Sequence, residues 1–282
     1  MKRLLFVTLL CAILIVVLLS GCAPRADVAI AATTLPVYQF TTALCQGTDL
    51  TVGRVVSEPV SCLHDYSLSI DQMRLIEGAE LVVKSGAGLE DFFEDALSHC
   101  DTIVDASQGL ALLPGEDGRD PHIWLSPSNA MAMARTICQG LSQVYPQNQA
   151  IFEENLGKLT TDLQTLQQYG RETLSSLSCR ELITFHDGFA YFADSFDLTI
   201  LAAVEEESGS EASAADLASL IELVEGHRLP AVFTEINGSD AAAKVIAQAT
   251  GSKIYSLDMA MAGDDYFSAM YHNIDTVKEA LG

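Results

Sequence analysis

Between residues 148 and 177 the apolar side chains Ile151, Phe152, Leu156, Leu159, Leu163, Leu166, Leu174 and Leu177 recur mostly at intervals of three and four. That period lines one face of an α-helix. A helix of nearly 30 residues is about 45 Å long at 1.5 Å per residue, so it crosses an entire domain. Whatever precedes and follows it must be arranged along it.

Both flanks carry the same kind of pattern. Before it, short apolar runs at 28–32, 50–56, 80–83 and 102–104 predict strands, and helical spacing predicts helices over 37–44, 70–77, 89–97 and 128–144. Ser69 is placed to cap the second of these helices, and Pro146 interrupts the last before the long helix begins. After the long helix, strands are predicted at 181–185, 199–204, 231–234 and 253–257, with helices at 188–195, 214–225, 241–250 and 266–281. Strands alternating with helices imply parallel sheets with crossover connections. The expected fold is therefore α/β: two lobes, each with a mainly parallel sheet flanked by helices, joined by one long backbone helix. The boundaries fall at 22–146 for the first lobe, 147–177 for the linking helix and 178–282 for the second. Two lobes so joined form a cleft, faced by loops at the carboxyl ends of the strands.

The first residues have a different character. Lys2 and Arg3 precede an apolar run from Leu4 to Leu19, broken only by Thr8, that closes in Leu19-Ser20-Gly21-Cys22. The run is short for a membrane span, which needs about 20 residues, and has the charged start and apolar middle of a secretory signal. Its end resembles the bacterial lipobox, so residues 1–21 are expected to be a lipoprotein signal peptide and Cys22 the lipidated first residue of an exported chain. Localisation is then extracytoplasmic, anchored by lipid to a bacterial membrane at the cell surface or in a periplasm. Five further cysteines, Cys45, Cys62, Cys100, Cys138 and Cys179, are scattered without CxxC spacing and leave any disulfide pairing open. Against 38 acidic residues there are 15 basic ones, a formal charge of −23. A surface that acidic repels phosphate backbones, which excludes nucleic acid as a partner.

Three histidines follow or adjoin strand-type segments. His64 lies in Cys62-Leu63-His64-Asp65-Tyr66, His122 in Asp120-Pro121-His122-Ile123-Trp124, and His186 in Thr184-Phe185-His186-Asp187-Gly188, while Asp258 closes the strand at 253–257. Two imidazoles thus come from the first lobe, and one imidazole and one carboxylate from the second. Such a set suits Zn2+ or Mn2+, and Asp65, Asp120 and Asp187 adjoin the histidines as carboxylates that orient ligating imidazoles do. The separations match no compact metal motif, so loop or cap roles stay open on spacing alone. Glu235, at the end of the strand at 231–234, is a supporting or alternative ligand by position. Other features read more plainly. Gly86-Ala87-Gly88 lacks the sixth-position glycine of a dinucleotide fingerprint, Glu205-Glu206-Glu207 is a solvated acidic loop, Trp124 is core packing, and His99, His227 and His272 sit at surfaces or helix ends. A zinc hydrolase using the three histidines with Glu235 or Asp258 as base would need an open coordination position, and no HExxH occurs.

The order of the local motifs resembles the cluster A-I family, the zinc- and manganese-binding lipoproteins that serve ABC importers. The matching pieces are Leu35-Pro36-Val37-Tyr38, His64-Asp65-Tyr66, Ser85-Gly86-Ala87-Gly88-Leu89-Glu90, Asp120 through Pro127, His186-Asp187-Gly188-Phe189-Ala190-Tyr191-Phe192, Phe233-Thr234-Glu235, and the stretch from Gly263-Asp264 to Asn273. They cover nearly all of the chain beyond the signal, in family order. The resemblance implies that His64, His122, His186 and Asp258 bind one metal between lobes hinged weakly on the long helix. It implies Zn2+ as the transported ligand, with Mn2+ the alternative, since histidine at the position of His186 goes with zinc. It further implies no enzymatic activity, delivery to a membrane permease, a monomer tethered by its N-terminal lipid and, in some relatives, a part in cell adhesion. The chain departs from the family pattern after His64, where a Glu-Pro and a second proline are missing, and before His122, where residues 113–120 hold no histidine.

Overall fold

A computed structural model describes residues 28–58, 63, 66–98, 100–115, 118–205, 212–261 and 263–282. The expected signal at 1–21, the lipidation site Cys22, and His64, Asp65 and Cys62 lie outside the described residues.

Strands β1 (Ile30–Ala32), β2 (Val52–Arg54), β3 (Leu81–Lys84) and β4 (Ile103–Asp105) form one parallel sheet in the order β2-β1-β3-β4. Helices α1 (Leu35–Leu44), α2 (Ile70–Gly78), α3 (Glu94–Leu97) and α4 (Pro127–Val144) accompany it. The central strands carry Ile30, Ala31, Ala32, Leu81, Val82 and Val83, all buried, as a parallel sheet covered on both faces requires. Ser69 caps α2 as expected. Its hydroxyl accepts from the Gln72 N–H while the Gln72 side chain accepts from the Ser69 N–H, a reciprocal box that satisfies two of the donors at a helix start.

One predicted helix starts late. Residues 89–97 form a 3-10 turn at Asp91–Phe93 followed only by the short α3. The cause lies upstream, where Gly86, Ala87 and Gly88 all take left-handed backbone angles. The buried Glu90 carboxylate reaches back to accept from the Ser85 N–H (2.8 Å), the Gly86 N–H (2.9 Å) and the Thr33 hydroxyl (2.7 Å). This tight turn occupies the residues that would have made the first helical turn. Burial raises the pKa of Glu90, and the three donors pull it the other way.

The long helix is α5 (Gln149–Leu174), 26 residues after a 3-10 turn at Pro146–Asn148, or about 39 Å. It packs against α1 and α4. Its polar Asn155, which interrupts the apolar face, is buried because its amide donates to the carbonyls of Leu44 and Gln46 at the end of α1. The helix stops short of 177 because the Arg180 guanidinium takes the Leu174 and Ser175 carbonyls, together with those of Phe196 and Asp197.

The second half holds β5 (Glu181–His186), α6 (Ala190–Ser195), β6 (Thr199–Glu205), α7 (Ala214–His227), β7 (Ala231–Glu235), α8 (Ala241–Thr250), β8 (Lys253–Leu257) and α9 (Tyr266–Leu281). β5 pairs with β6 and β7 with β8, both in parallel, and β5 lies beside β7. The architecture is thus α/β with parallel sheets on either side of one long helix. The halves are joined more firmly than a weak hinge implies. One continuous core runs from β1 and β3 through Trp124 and Leu163 to Phe189, Met259, Tyr266 and Ile274, and only a smaller cluster around Ile183, Val232 and Ile246 belongs to the second half alone. Among the described residues no helix is long and apolar enough to cross a membrane.

Candidate metal centre

The carboxyl edge of the second sheet lines up three of the residues singled out from sequence. His186 ends β5, Glu235 ends β7 in register with Leu257 of β8, and Asp258 follows directly. A parallel sheet places all its strand ends on one side, so residues far apart in sequence arrive together. His186 and Glu235 are buried. Asp187 lies half-buried in the turn beyond β5.

His122 comes from the other half, on the loop that enters a buried 3-10 turn at Ile123–Leu125. Asp120 fixes it twice, for one carboxylate oxygen lies 2.8 Å from the His122 backbone N and 2.8 Å from its Nδ1. An ionised carboxylate only accepts, so Nδ1 carries the hydrogen and the lone pair of the neutral ring is on Nε2. Asp120 is itself held. The Tyr191 hydroxyl donates to the Asp120 carbonyl (3.0 Å) and accepts from the Leu113 N–H (2.9 Å), pinning both ends of the 113–120 loop to α6.

His122 and His186 meet in a T-shaped contact, with ring centroids 5.2 Å apart and planes at 89°. Two imidazoles on one tetrahedral zinc, each at a Zn–N distance of about 2.0–2.1 Å, hold their ring centres about 5 Å apart. The observed spacing is compatible with a shared metal. Gly188 makes the approach possible. A Cβ there would stand 2.6 Å from Met259 Cε, 2.9 Å from His186 Cδ2 and 3.1 Å from His122 Cε1.

Asp258 is presented by a rigid turn. Its backbone N–H donates to the Asn273 side-chain oxygen and its carbonyl accepts from the Asn273 amide, both at 2.7 Å. One carboxylate oxygen accepts from the N–H of Ala260, a residue in the left-handed region. Burial raises the Asp258 pKa, offset in part by the Ala260 N–H and by His272. Among the described residues no three His, Cys, Asp or Glu side chains are gathered closely enough to form a metal site by themselves. What the structure brings together is the His122–His186 pair, with the residue after Asp258 touching the same spot.

Trp124, read from sequence as core packing, is fully buried and also joins the His122 loop to the turn after β8. Its indole N–H donates to the Met259 carbonyl (2.7 Å), and the Tyr266 hydroxyl returns a bond to the Trp124 carbonyl (2.8 Å). The roles of Asn273, Gly188 and Tyr191 were missed from sequence. Each lies inside a quoted motif, but none is a ligand type, and their function depends on residues 15 to 78 positions away. Tyr66 donates to Glu58 (2.6 Å), and the Gln72 amide donates to Glu58, Tyr66 and the Val55 carbonyl, so positions 58 and 66 are tied together. A separate groove of about 720 Å3, lined by Arg171, Arg180, Asp194 and Asp197, includes none of the expected ligands.

Over residues 30–280 the sequence matches the family described as ZnuA, zinc-uptake complex component A, periplasmic. It is 29% identical over 280 residues to the zinc-binding lipoprotein AdcA of Streptococcus pneumoniae, an alignment covering 89% of this chain and 55% of that protein. The chain therefore spans about half the length of that relative. Among solved structures it is similar to the crystal structure of ZnuA, with 29% identity, a TM-score of 0.81, and coverage of 90% of this chain and 99% of the other. It is likewise similar to the Zn(II)-bound ZnuA-like domain of S. pneumoniae AdcA, with 28% identity, a TM-score of 0.78, and coverage of 91% and 99%.

Proposed function

Because the chain belongs to the ZnuA family of periplasmic zinc-uptake components, we propose that it captures Zn2+ outside the cytoplasm and delivers it to the membrane permease of an ABC importer. His64, His122, His186 and Asp258 are the ligands in this reading, two from each side of the long helix, with Glu235 and Asp187 in support. The observation that carries it is the buried His122–His186 pair at 5.2 Å, with the Nδ1 of His122 already committed to Asp120. A ligand held in one tautomer and one orientation before the metal arrives loses little freedom on binding.

The protein is a binding protein and not an enzyme. Four protein ligands fill a tetrahedron and leave no position for a reacting water. Zinc is favoured over manganese because three nitrogens with one carboxylate suit the softer ion, and zinc-bound relatives share the fold. The division into lobes 22–146 and 178–282 around 147–177, removal of residues 1–21 and lipidation of Cys22 complete the proposal, with the protein acting as a tethered monomer. Cys22→Ala would then release it from the membrane fraction.

Equilibrium dialysis tests the site. The wild-type chain binds one Zn2+, with Mn2+ a weaker competitor, and His122→Ala loses that stoichiometric binding. Undiminished binding by His122→Ala removes the proposed centre.

A further inference from the structure

The turn after Asp258 belongs to the second half by chain connectivity, since β8 leads into it and α9 leads out, yet the first half grips it. Trp124 holds the Met259 carbonyl. Gln39 of α1 donates to the Asp264 carbonyl (3.2 Å) and to the Asp265 carboxylate (2.9 Å), and accepts from the Tyr266 N–H (2.6 Å). Between these two anchors lies Arg54, the last residue of β2. Its Nη1 donates to the Gly263 carbonyl (2.6 Å) and its Nη2 to the Met261 carbonyl (3.2 Å), while its Nε donates to the Val56 carbonyl in its own half.

A planar guanidinium offers donors in fixed directions, so one side chain can hold two carbonyls of one segment and a third of another at a set separation. Hydrogen bonds from a charged donor are also stronger than neutral ones. Burial works against the Arg54 charge, and the neighbouring Asp264, Tyr38 and Glu58 support it. The turn it holds is stiff. Asn273 clamps the Asp258 backbone and the Ala260 N–H donates to the Asp258 carboxylate, one residue before Met261.

We propose that Arg54 is a positioning residue for metal retention: by fixing the Met261 and Gly263 carbonyls to the first half, it sets where the Asp258 carboxylate stands relative to His122. The proposal rests on Asp258 as a zinc ligand. Arg54 touches no metal. Without it the turn is tied to the first half through Trp124 and Gln39, and its middle turns to water.

The test loads wild type, R54Q, R54K and S195A with zinc and follows release to excess chelator by stopped flow, alongside visible absorption of the Co2+ forms. R54Q keeps one zinc per chain but releases it about tenfold faster or more, the range seen when residues supporting a metal ligand are removed. Its Co2+ bands shift. R54K, whose ammonium reaches one carbonyl where the guanidinium holds two, falls between R54Q and wild type, and it carries the test if R54Q does not fold. S195A loses the bond between Ser195 and Ser126, which also joins the halves but away from the turn, and releases zinc at the wild-type rate. Release within twofold of wild type by R54Q and R54K, with unchanged Co2+ bands, overturns the proposal. A D258N variant that retains zinc like the wild type overturns the ligand reading itself, whatever Arg54 does.

Discussion

Substituting Gly188 by alanine adds one carbon at the point where both halves, His122 and His186 meet. That Cβ would lie 2.6 Å from Met259 Cε, 2.9 Å from His186 Cδ2 and 3.1 Å from His122 Cε1. Ordinary carbon contacts begin near 3.5 Å. The Met259 methyl ends a flexible chain and can swing away, whereas the two rings move only as rigid bodies. Each imidazole would have to retreat by roughly 0.4–0.6 Å to restore normal contact. For His122 such a retreat strains the 2.8 Å bond to Asp120. Metal–ligand distances tolerate only about 0.2 Å, so the displacement exceeds what the proposed centre absorbs. Affinity for zinc should fall by about ten- to a hundredfold, or about 1.4–2.8 kcal/mol, and the apo protein should lose about 1–3 kcal/mol from overpacking. Each kcal/mol is worth about 2–4 °C of Tm in a chain of this size. Competition titration against a zinc-binding dye and a thermal melt of the apo protein measure the two effects. Gly170→Ala is the control. Its Cβ would collide with the Phe196 ring at 2.3 Å and with Ile274 at 3.1 Å, under α5 and away from the histidines. It should melt early yet keep its zinc affinity. The reasoning fails if Gly188→Ala binds zinc within twofold of wild type, or if Gly170→Ala loses zinc to the same extent for the same loss of Tm.

Asp120→Ala leaves the backbone N–H and the Nδ1–H of His122 buried without their acceptor; zinc affinity by competition titration should drop about 10- to 100-fold and stability by about 1–3 kcal/mol per orphaned donor, with Asp120→Asn less affected because its amide oxygen still accepts. The Tyr66 hydroxyl is the main cause holding the Glu58 carboxyl below its ordinary range. A folded-state pKa so depressed contributes stability above the unfolded value that is lost as pH falls through the folded one. NMR titration should therefore show Glu58 moving up in Tyr66→Phe, and an unchanged Glu58 would mean that the 58–66 tie does not form in solution. Burial pushes the Cys45 thiol up to about 12, so mass-spectrometric footprinting at pH 8 should find it unmodified in the folded protein and alkylated in denaturant.

The sequence by itself determined the alternation of elements, the long helix, the Ser69 cap and the histidines worth considering. These are local facts, written in periodicity, in cap residues and in strand-end positions. Two of the final helices and the last strand agree with the predicted bounds to the residue, at 241–250, 266–281 and 253–257. Periodicity reports that a face is buried and does not say against what. The late start of α3 was hidden because the deciding group is the Glu90 side chain, folded back on the backbone of the preceding turn. The firm union of the halves was hidden because its bonds run between residues 135 and 226 positions apart, from Trp124 to Met259 and from Gln39 to Asp265. Only the tertiary structure decided that the His122 and His186 rings stand 5.2 Å apart, since that distance depends on a glycine between them and on a carboxylate behind one of them. Residue type and order mark candidate ligands along a chain; their separation is set by packing across it.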